Sequence, residues 1–233
     1  MGEIGLFEAM YSMRAMRRLK PDPIPEETLK QIVDAGIHAP SGGNLQDWAF
    51  VLVRKPALKR FIRDRYWGMW QKLQAGRPIP DDLPPARRRV LDAAAYLAEH
   101  LHEVPVILLA CSLKHYPTFM QAGSERASMA TVHGSIYPAV QNILLACRAL
   151  GIGSVITTIH CLFEDELKRK FDIPDKMEVS ALLPLGYPQG SFGPTTRRPV
   201  EDVIRWDGFG KAAVAKVSAP RKGRGTGTRR KRP

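Results

Sequence analysis

With 233 residues, 44% hydrophobic and 25% charged, the chain has material for one large globular domain or two small ones. It has no apolar run near the ~20 residues of a membrane helix, and the acids near Met1 argue against a secretory leader and for a cytoplasmic protein. The net charge of +12 suggests nucleic acid until it is located: nine basic residues and no acid fall between Lys211 and Pro233, and subtracting them leaves +3 for the rest.

The charge distribution divides the chain into a domain over residues 1–208 and a basic tail over 209–233. Arg221–Pro233 holds no apolar residue, so it cannot offset its ordering entropy and is expected to be disordered, with only non-specific contacts to nucleic acid. Within the domain, residues 6–16 read as a helix. Pro25-Glu26-Glu27 opens a second, with Leu29, Ile32, Val33 and Ile37 at helical spacing. A strand over 48–53 precedes a helix over 57–73, a proline-rich loop over 76–85, a helix over 86–101 and an apolar strand over 104–110. Residues 126–150 form the longest helix, apolar almost all round and therefore buried in the domain or at an interface, and Gly151 ends it. A strand over 154–158, a helix over 164–171 and a strand over 179–185 complete the domain. The order lacks strict βαβ alternation, which predicts an α+β fold. Cys111, Cys147 and Cys161 lie far apart in apolar sequence, which predicts small buried thiols in a reducing compartment.

Four segments could carry chemistry. In Met13-Arg14-Ala15-Met16-Arg17-Arg18-Leu19-Lys20, four cations fall within seven residues. They either complement a helix dipole at its C-terminus or offer planar donor forks to phosphate and carbonyl oxygens. The turn Pro40-Ser41-Gly42-Gly43-Asn44-Leu45-Gln46-Asp47-Trp48 joins a helix to a strand. It either caps the helix or brings a hydroxyl, two carboxamides and glycine amides to a flat polar ligand. Ile156-Thr157-Thr158 can present hydroxyls at a strand end, and the nearby Gly151-Ile152-Gly153 precedes its strand and so is no dinucleotide fingerprint. Arg197 comes after a glycine turn at residue 186 and either reaches an anion or is a surface charge. Tyr66, Trp67, Met69 and Trp70 either shape an aromatic pocket or pack in the core, the latter for at least two of them. His100 and His102 are two apart on a helix and point to different sides, and His38, His133 and His160 are isolated, so no metal site is expected.

In order and spacing, these segments resemble the FMN-dependent nitroreductase-like family over roughly residues 6–207. The turn matches the family pattern Pro-Ser-x-x-Asn-x-Gln-Pro-Trp at Pro40, Ser41, Asn44, Gln46 and Trp48, with Asp47 in place of proline. The arginine segment departs further from the family's Arg-Arg-Ser-x-Arg, having Met13 and Ala15 where an arginine and a serine stand. The Ile156-Thr157-Thr158 strand is similar to the flavin-edge strand of the iodotyrosine-deiodinase and flavin-cleaving branch.

The resemblance implies a central, mostly antiparallel mixed sheet surrounded by helices, in a domain-interlocked homodimer with active sites at the subunit interface. It implies FMN bound by Arg14, Arg17, Arg18, Pro40, Ser41, Gly42, Asn44, Gln46, Ile156, Thr157, Thr158 and Arg197. Arg14, Arg197 and Arg18 would grip the phosphate, Arg17 would face the flavin N1/O2 edge, and Ser41, Asn44, Thr157 and Thr158 would hydrogen-bond the ring. The activity implied is ping-pong electron transfer from NADH or NADPH through the flavin to a nitroaromatic, quinone or similar flat acceptor, with no dedicated acid or base. Alternatives are a reductive dehalogenase or flavin-consuming oxygenase of the same superfamily, or a non-catalytic flavin-binding protein with a basic tail.

Overall fold

The structure is a computed structural model and describes residues 4–76, 80 and 82–209. The basic tail beyond residue 209 and residues 77–79 and 81 of the proline loop lie outside the described residues. The chain divides into two units, the first ending at Thr195 and the second beginning at Thr196.

Among its described residues the first unit contains seven helices and four strands, with single 3-10 turns at Gly42–Asn44 and Ile159–Phe163. In chain order they are α1 (Leu6–Ser12), α2 (Glu26–Ile37), β1 (Trp48–Val53), α3 (Pro56–Ala75), α4 (Pro85–His100) and β2 (Val106–Leu113). Then come α5 (Pro117–Gln121), α6 (Glu125–Ala149), β3 (Gly153–Ser154), α7 (Glu164–Lys170) and β4 (Met177–Gly186). The strands form one sheet in the order β1-β2-β4-β3, and every neighbouring pair is antiparallel.

The two central strands are largely apolar because the sheet is covered on both faces. Successive side chains of a strand point to opposite faces, and β2 obeys this rule. Ile107, Leu109 and Cys111 join Ile62, Tyr66, Leu97 and Leu101 in one core, while Val106, Leu108 and Ala110 join Leu29, Ile32, Ile136 and Ile143 in the other. A register shift between Ala110 and Cys111 marks a bulge near the end of β2.

Helix α6 carries the second core. Ser124 caps its start by accepting a hydrogen bond from the Ala127 amide at 3.3 Å. Gly151, at φ +73, ends it, and the Ile152 amide turns back to the Cys147 carbonyl at 2.7 Å. The helix is buried along Val132, Ile136, Val140, Ile143, Leu144 and Cys147, whereas Met129, Ala130, Gly134 and Gln141 are exposed. Within the chain it is thus covered along one side.

Four expectations need correction. The first helix stops at Ser12, and Met13 is already extended. The chain from Met16 to Lys20 runs beside the sheet edge instead, where the Met16 amide donates to the Ser154 carbonyl (3.0 Å) and the Lys20 amide to the Tyr187 carbonyl (2.7 Å). The arginines therefore do not complement a helix dipole. The strand expected over 154–158 is only two residues long, and Thr157 makes an isolated bridge to Leu182. Helix α5 is additional to the elements read from the sequence; five residues are too few to show a period. Cys111 and Cys147 are buried, with thiols pushed up to about 12 by burial, but Cys161 is exposed.

Candidate functional site

The arginine segment is held against β3 and β4 by close backbone packing. A Cβ on Gly153 would lie 2.8 Å from Leu19 Cδ2 and 3.0 Å from Met16 Cβ, and one on Gly186 would lie 3.0 Å from Leu19 Cβ. Only glycine lets the strand pair approach that closely. Met16 and Leu19 point into the core, and this orients the residues between and beside them outward: Arg14 and Arg18 are exposed and Arg17 is half-buried.

Arg17 belongs to a cluster that residue spacing does not reveal. Burial lowers its pKa, and the Tyr66 phenol of α3 opposes that shift. Tyr66 is itself buried in the core; burial raises its pKa, while the Thr157 hydroxyl and the Arg17 charge lower it. Arg17, Tyr66 and Thr157 are thus electrostatic neighbours. Thr157 Oγ1 acts on the phenol, yet it is buried with no hydrogen bond of good geometry among the described residues. The Thr157 backbone is committed to Leu182 in both directions, at 3.0 and 3.2 Å, which fixes the hydroxyl in place. Ile156 and Thr158 beside it are exposed.

Arg18 stacks over the Tyr96 ring of α4 at 4.0 Å from its centroid. Arg197 lies in the second unit, where its Nη1 donates to the Thr196 carbonyl at 2.9 Å. Trp67, Met69 and Trp70 pack against the same core as Tyr66, as core packing predicts.

The turn at Pro40–Trp48 is wound tightly. Gly43, Asn44 and Gln46 all have positive φ (59, 54 and 53), which is uncommon for the two non-glycine residues. The turn is held by its own polar groups: the Gln46 amide donates to Ser41 Oγ (2.9 Å), and Gln46 Nε2 donates to Asn44 Oδ1 (3.3 Å). The Gly42 amide donates to Ser135 Oγ of α6 at 3.1 Å, so this amide is used within the chain and is not offered to a ligand. Pro40, Asn44 and Gln46 are exposed. Left-handed backbone at non-glycine residues persists where the surroundings over-determine it, and such strain gathers at functional sites.

These residues form two groups, not one. Trp48 pairs with Ser112, and Ser112 with Glu178, whereas Thr157 pairs with Leu182 on the far side of β4. The turn is therefore about three strand spacings (~14 Å) across the sheet and roughly 13 Å along it from Thr157, or about 19 Å in all. Arg14, Arg17, Arg18, Ile156, Thr157 and Thr158 gather at the β3 edge, and Pro40, Ser41, Gly42, Asn44 and Gln46 at the β1 edge. The cavity behind the turn is bordered by none of the first group. Sequence reasoning missed Tyr66 as a member of the first group and Ser135 and Tyr116 as neighbours of the second. Tyr66 is hidden in the apolar face of α3, and no local signal links residue 116 or 135 to residue 42.

An antiparallel sheet covered on both faces by helices, with an extended arginine segment laid on its glycine edge, defines the α+β class of this chain. The sequence model of the Nitroreductase family matches residues 11–187. The chain is 31% identical over 199 residues to an NADH dehydrogenase of Thermus thermophilus, covering 85% of this chain and 94% of that one. It is 26% identical over 203 residues to iodotyrosine deiodinase 1 of Rattus norvegicus, covering 85% and 67%. Among solved structures, oxidized iodotyrosine deiodinase bound to FMN and 3-iodo-L-tyrosine superposes with a TM-score of 0.68 at 25% identity, covering 88% of this chain and all of that one. A BluB-like flavoprotein from Clostridium difficile 630 superposes with a TM-score of 0.67 at 21% identity, covering 87% and 99%. The chain belongs to the Nitroreductase family.

Proposed function

We propose that this protein binds FMN and passes electrons from NADH or NADPH to a nitroaromatic, quinone or similar flat acceptor, as a homodimer. The observation that carries the reading is the Arg17–Tyr66–Thr157 cluster, where a half-buried cation and a buried threonine hydroxyl both act on a buried phenol. A ring with a polar edge suits that pair. The solved iodotyrosine deiodinase with bound FMN, similar over 88% of this chain, supports the choice of flavin.

In this reading Arg17 faces the flavin N1/O2 edge and the Thr157 hydroxyl bonds the ring, with Ile156 and Thr158 beside it. Arg14 and Arg197 hold the phosphate, and Arg18 contributes there while braced on Tyr96. Pro40, Ser41, Gly42, Asn44 and Gln46 border the ring from the other side. When bound, FMN supplies the two-electron chemistry, accepting hydride from a reduced nicotinamide and passing electrons on to the acceptor. Arg17 holds a positive charge where negative charge develops on reduction, and the low polarity around it strengthens that effect. Tyr66 keeps water from the inner side of Arg17 and fixes its orientation.

The separation of the two groups by about 19 Å supports a composite site in which a second copy of the chain brings its turn to the first copy's Arg17 edge. Leu6, Phe7, Met10 and Tyr11 on α1 are 61%, 66%, 43% and 65% exposed, an apolar surface that a second copy would cover. A reductive dehalogenase is the second reading, favoured by the likeness to iodotyrosine deiodinases.

Arg17→Ala tests the assignment. FMN affinity is expected to fall at least about tenfold, as for loss of one charge-assisted contact, and the midpoint potential of the flavin that still binds to become more negative. An unchanged affinity and potential would remove Arg17 from the site.

A further inference from the structure

We infer that the cavity behind the Pro40–Trp48 turn receives a primary ammonium group on the flat acceptor, and that Asp47 is the residue that selects for it. This rests on the reading that the turn borders the flavin.

The cavity lies between the turn, the end of β2 and the first half of α6. It is bordered by Ser41, Asp47, Trp48, Ser112, Tyr116 and Ser135, with aliphatic side chains from β2 and α6 completing it. No lysine, arginine or histidine lines it, so Asp47 sets its charge. Asp47 is exposed and has no ion pair or hydrogen bond among the described residues. It therefore caps no backbone and neutralises no neighbouring cation.

The hydroxyls divide into used and available. Ser135 Oγ donates to the Thr131 carbonyl (3.1 Å) and accepts the Gly42 amide, and Ser112 Oγ pairs with Ser180 Oγ at 2.8 Å. Ser41 Oγ accepts the Gln46 amide and keeps a second lone pair. The Tyr116 hydroxyl has no hydrogen bond among the described residues, and it would lie 3.2 Å from a Cβ on Gly43. Acceptor capacity thus remains on Asp47, Ser41 and Tyr116, which suits a group with three donors and a positive charge.

A primary ammonium is the compact cation whose three donors match these three acceptors. The aliphatic wall suits the carbon next to the nitrogen. The positive φ of Gln46 and the Ser41–Gln46 bond fix the backbone just before Asp47, so the carboxylate is presented by a rigid turn.

The test uses the full chain with FMN and a near-isosteric acceptor pair, protonated 4-nitrobenzylamine and 4-nitrobenzyl alcohol. The ratio of kcat/KM for amine over alcohol is measured in the wild type, Asp47→Asn and Asp47→Glu. The expected ratio falls by about fivefold to tenfold in Asp47→Asn, the discrimination of one partly screened charge pair, and is largely restored in Asp47→Glu. In parallel, benzylamine and benzyl alcohol are titrated into the same proteins by NMR without an electron donor. The wild type is expected to bind the amine more tightly, and Asp47→Asn to lose the difference. Flavin turnover with a ratio unmoved by Asp47→Asn, or equal binding of amine and alcohol, would overturn the inference. An amine preference in the titration without flavin binding or turnover would instead sink the function reading and leave the cavity assignment standing.

Discussion

Replacing Gly153 by alanine probes the packing that holds Arg17. The added Cβ would meet Leu19 Cδ2 at 2.8 Å, Met16 Cβ at 3.0 Å and the Gly186 carbonyl oxygen at 3.3 Å. Ordinary carbon contacts are nearer to about 3.5–4.0 Å, so the segment or the strand must move by several tenths of an ångström. Leu19 and Met16 are only 5% and 8% exposed, so neither side chain can swing into solvent. Overpacking of this kind costs about 1–3 kcal/mol. In a domain of this size, each kcal/mol lowers the melting temperature by roughly 2–4 °C, which predicts a fall of about 2–12 °C. Because Arg17 lies between the two displaced residues, FMN affinity should fall as well. Thermal denaturation and an FMN titration of the same variant read both effects. The control is Gly68→Ala in α3, where a Cβ meets nothing within 4 Å; it should raise stability by about 0.5–1 kcal/mol. A Gly153→Ala protein that melts with the wild type and binds FMN equally would refute the argument that this glycine sets the arginine segment's position.

Acid should destabilise the fold through His160, which is fully buried and donates through Nε2 to the Val179 carbonyl. Burial lowers its pKa below the ordinary 6.5, so as pH falls through that value the unfolded chain takes up a proton that the folded chain refuses. Stability is therefore full above about pH 6.5 and lost progressively below it, and the loss should be smaller in His160→Gln when melting is followed from about pH 7.5 to about pH 5.5. Sedimentation equilibrium should return twice the chain mass, and Phe7→Glu with Tyr11→Glu should shift it toward one chain; a wild type that sediments as a single chain would refute the composite site.

Much of the fold is legible in the sequence where a period or a cap is strong. The helical spacing of Leu29, Ile32 and Val33, Pro25 just ahead of α2, and Gly151 closing α6 are each local signals that the structure repeats. The end of α1 is not legible. Helix formers continue past Ser12, but the chain is drawn out by hydrogen bonds to Ser154 and Tyr187, which are more than 130 residues away in sequence. At the site, the residue types of the turn are readable, but the positive φ at Asn44 and Gln46 and the use of the Gly42 amide by Ser135 are not. The division of the site residues between two sheet edges comes from the strand order β1-β2-β4-β3, which no local pattern encodes. Tyr66 looks like an ordinary core residue and is one; its second role comes only from the approach of Arg17 and Thr157.

The central claim is that the Arg17–Tyr66–Thr157 edge holds FMN in a working oxidoreductase. Its most direct test is the visible absorbance spectrum of the full-length protein after incubation with FMN and desalting, repeated anaerobically with NADH and then NADPH. The account predicts a retained flavin spectrum that at least one of the two nicotinamides bleaches and a quinone or nitroaromatic restores. A protein that emerges colourless, or that keeps its flavin but is reduced by neither donor, would contradict it.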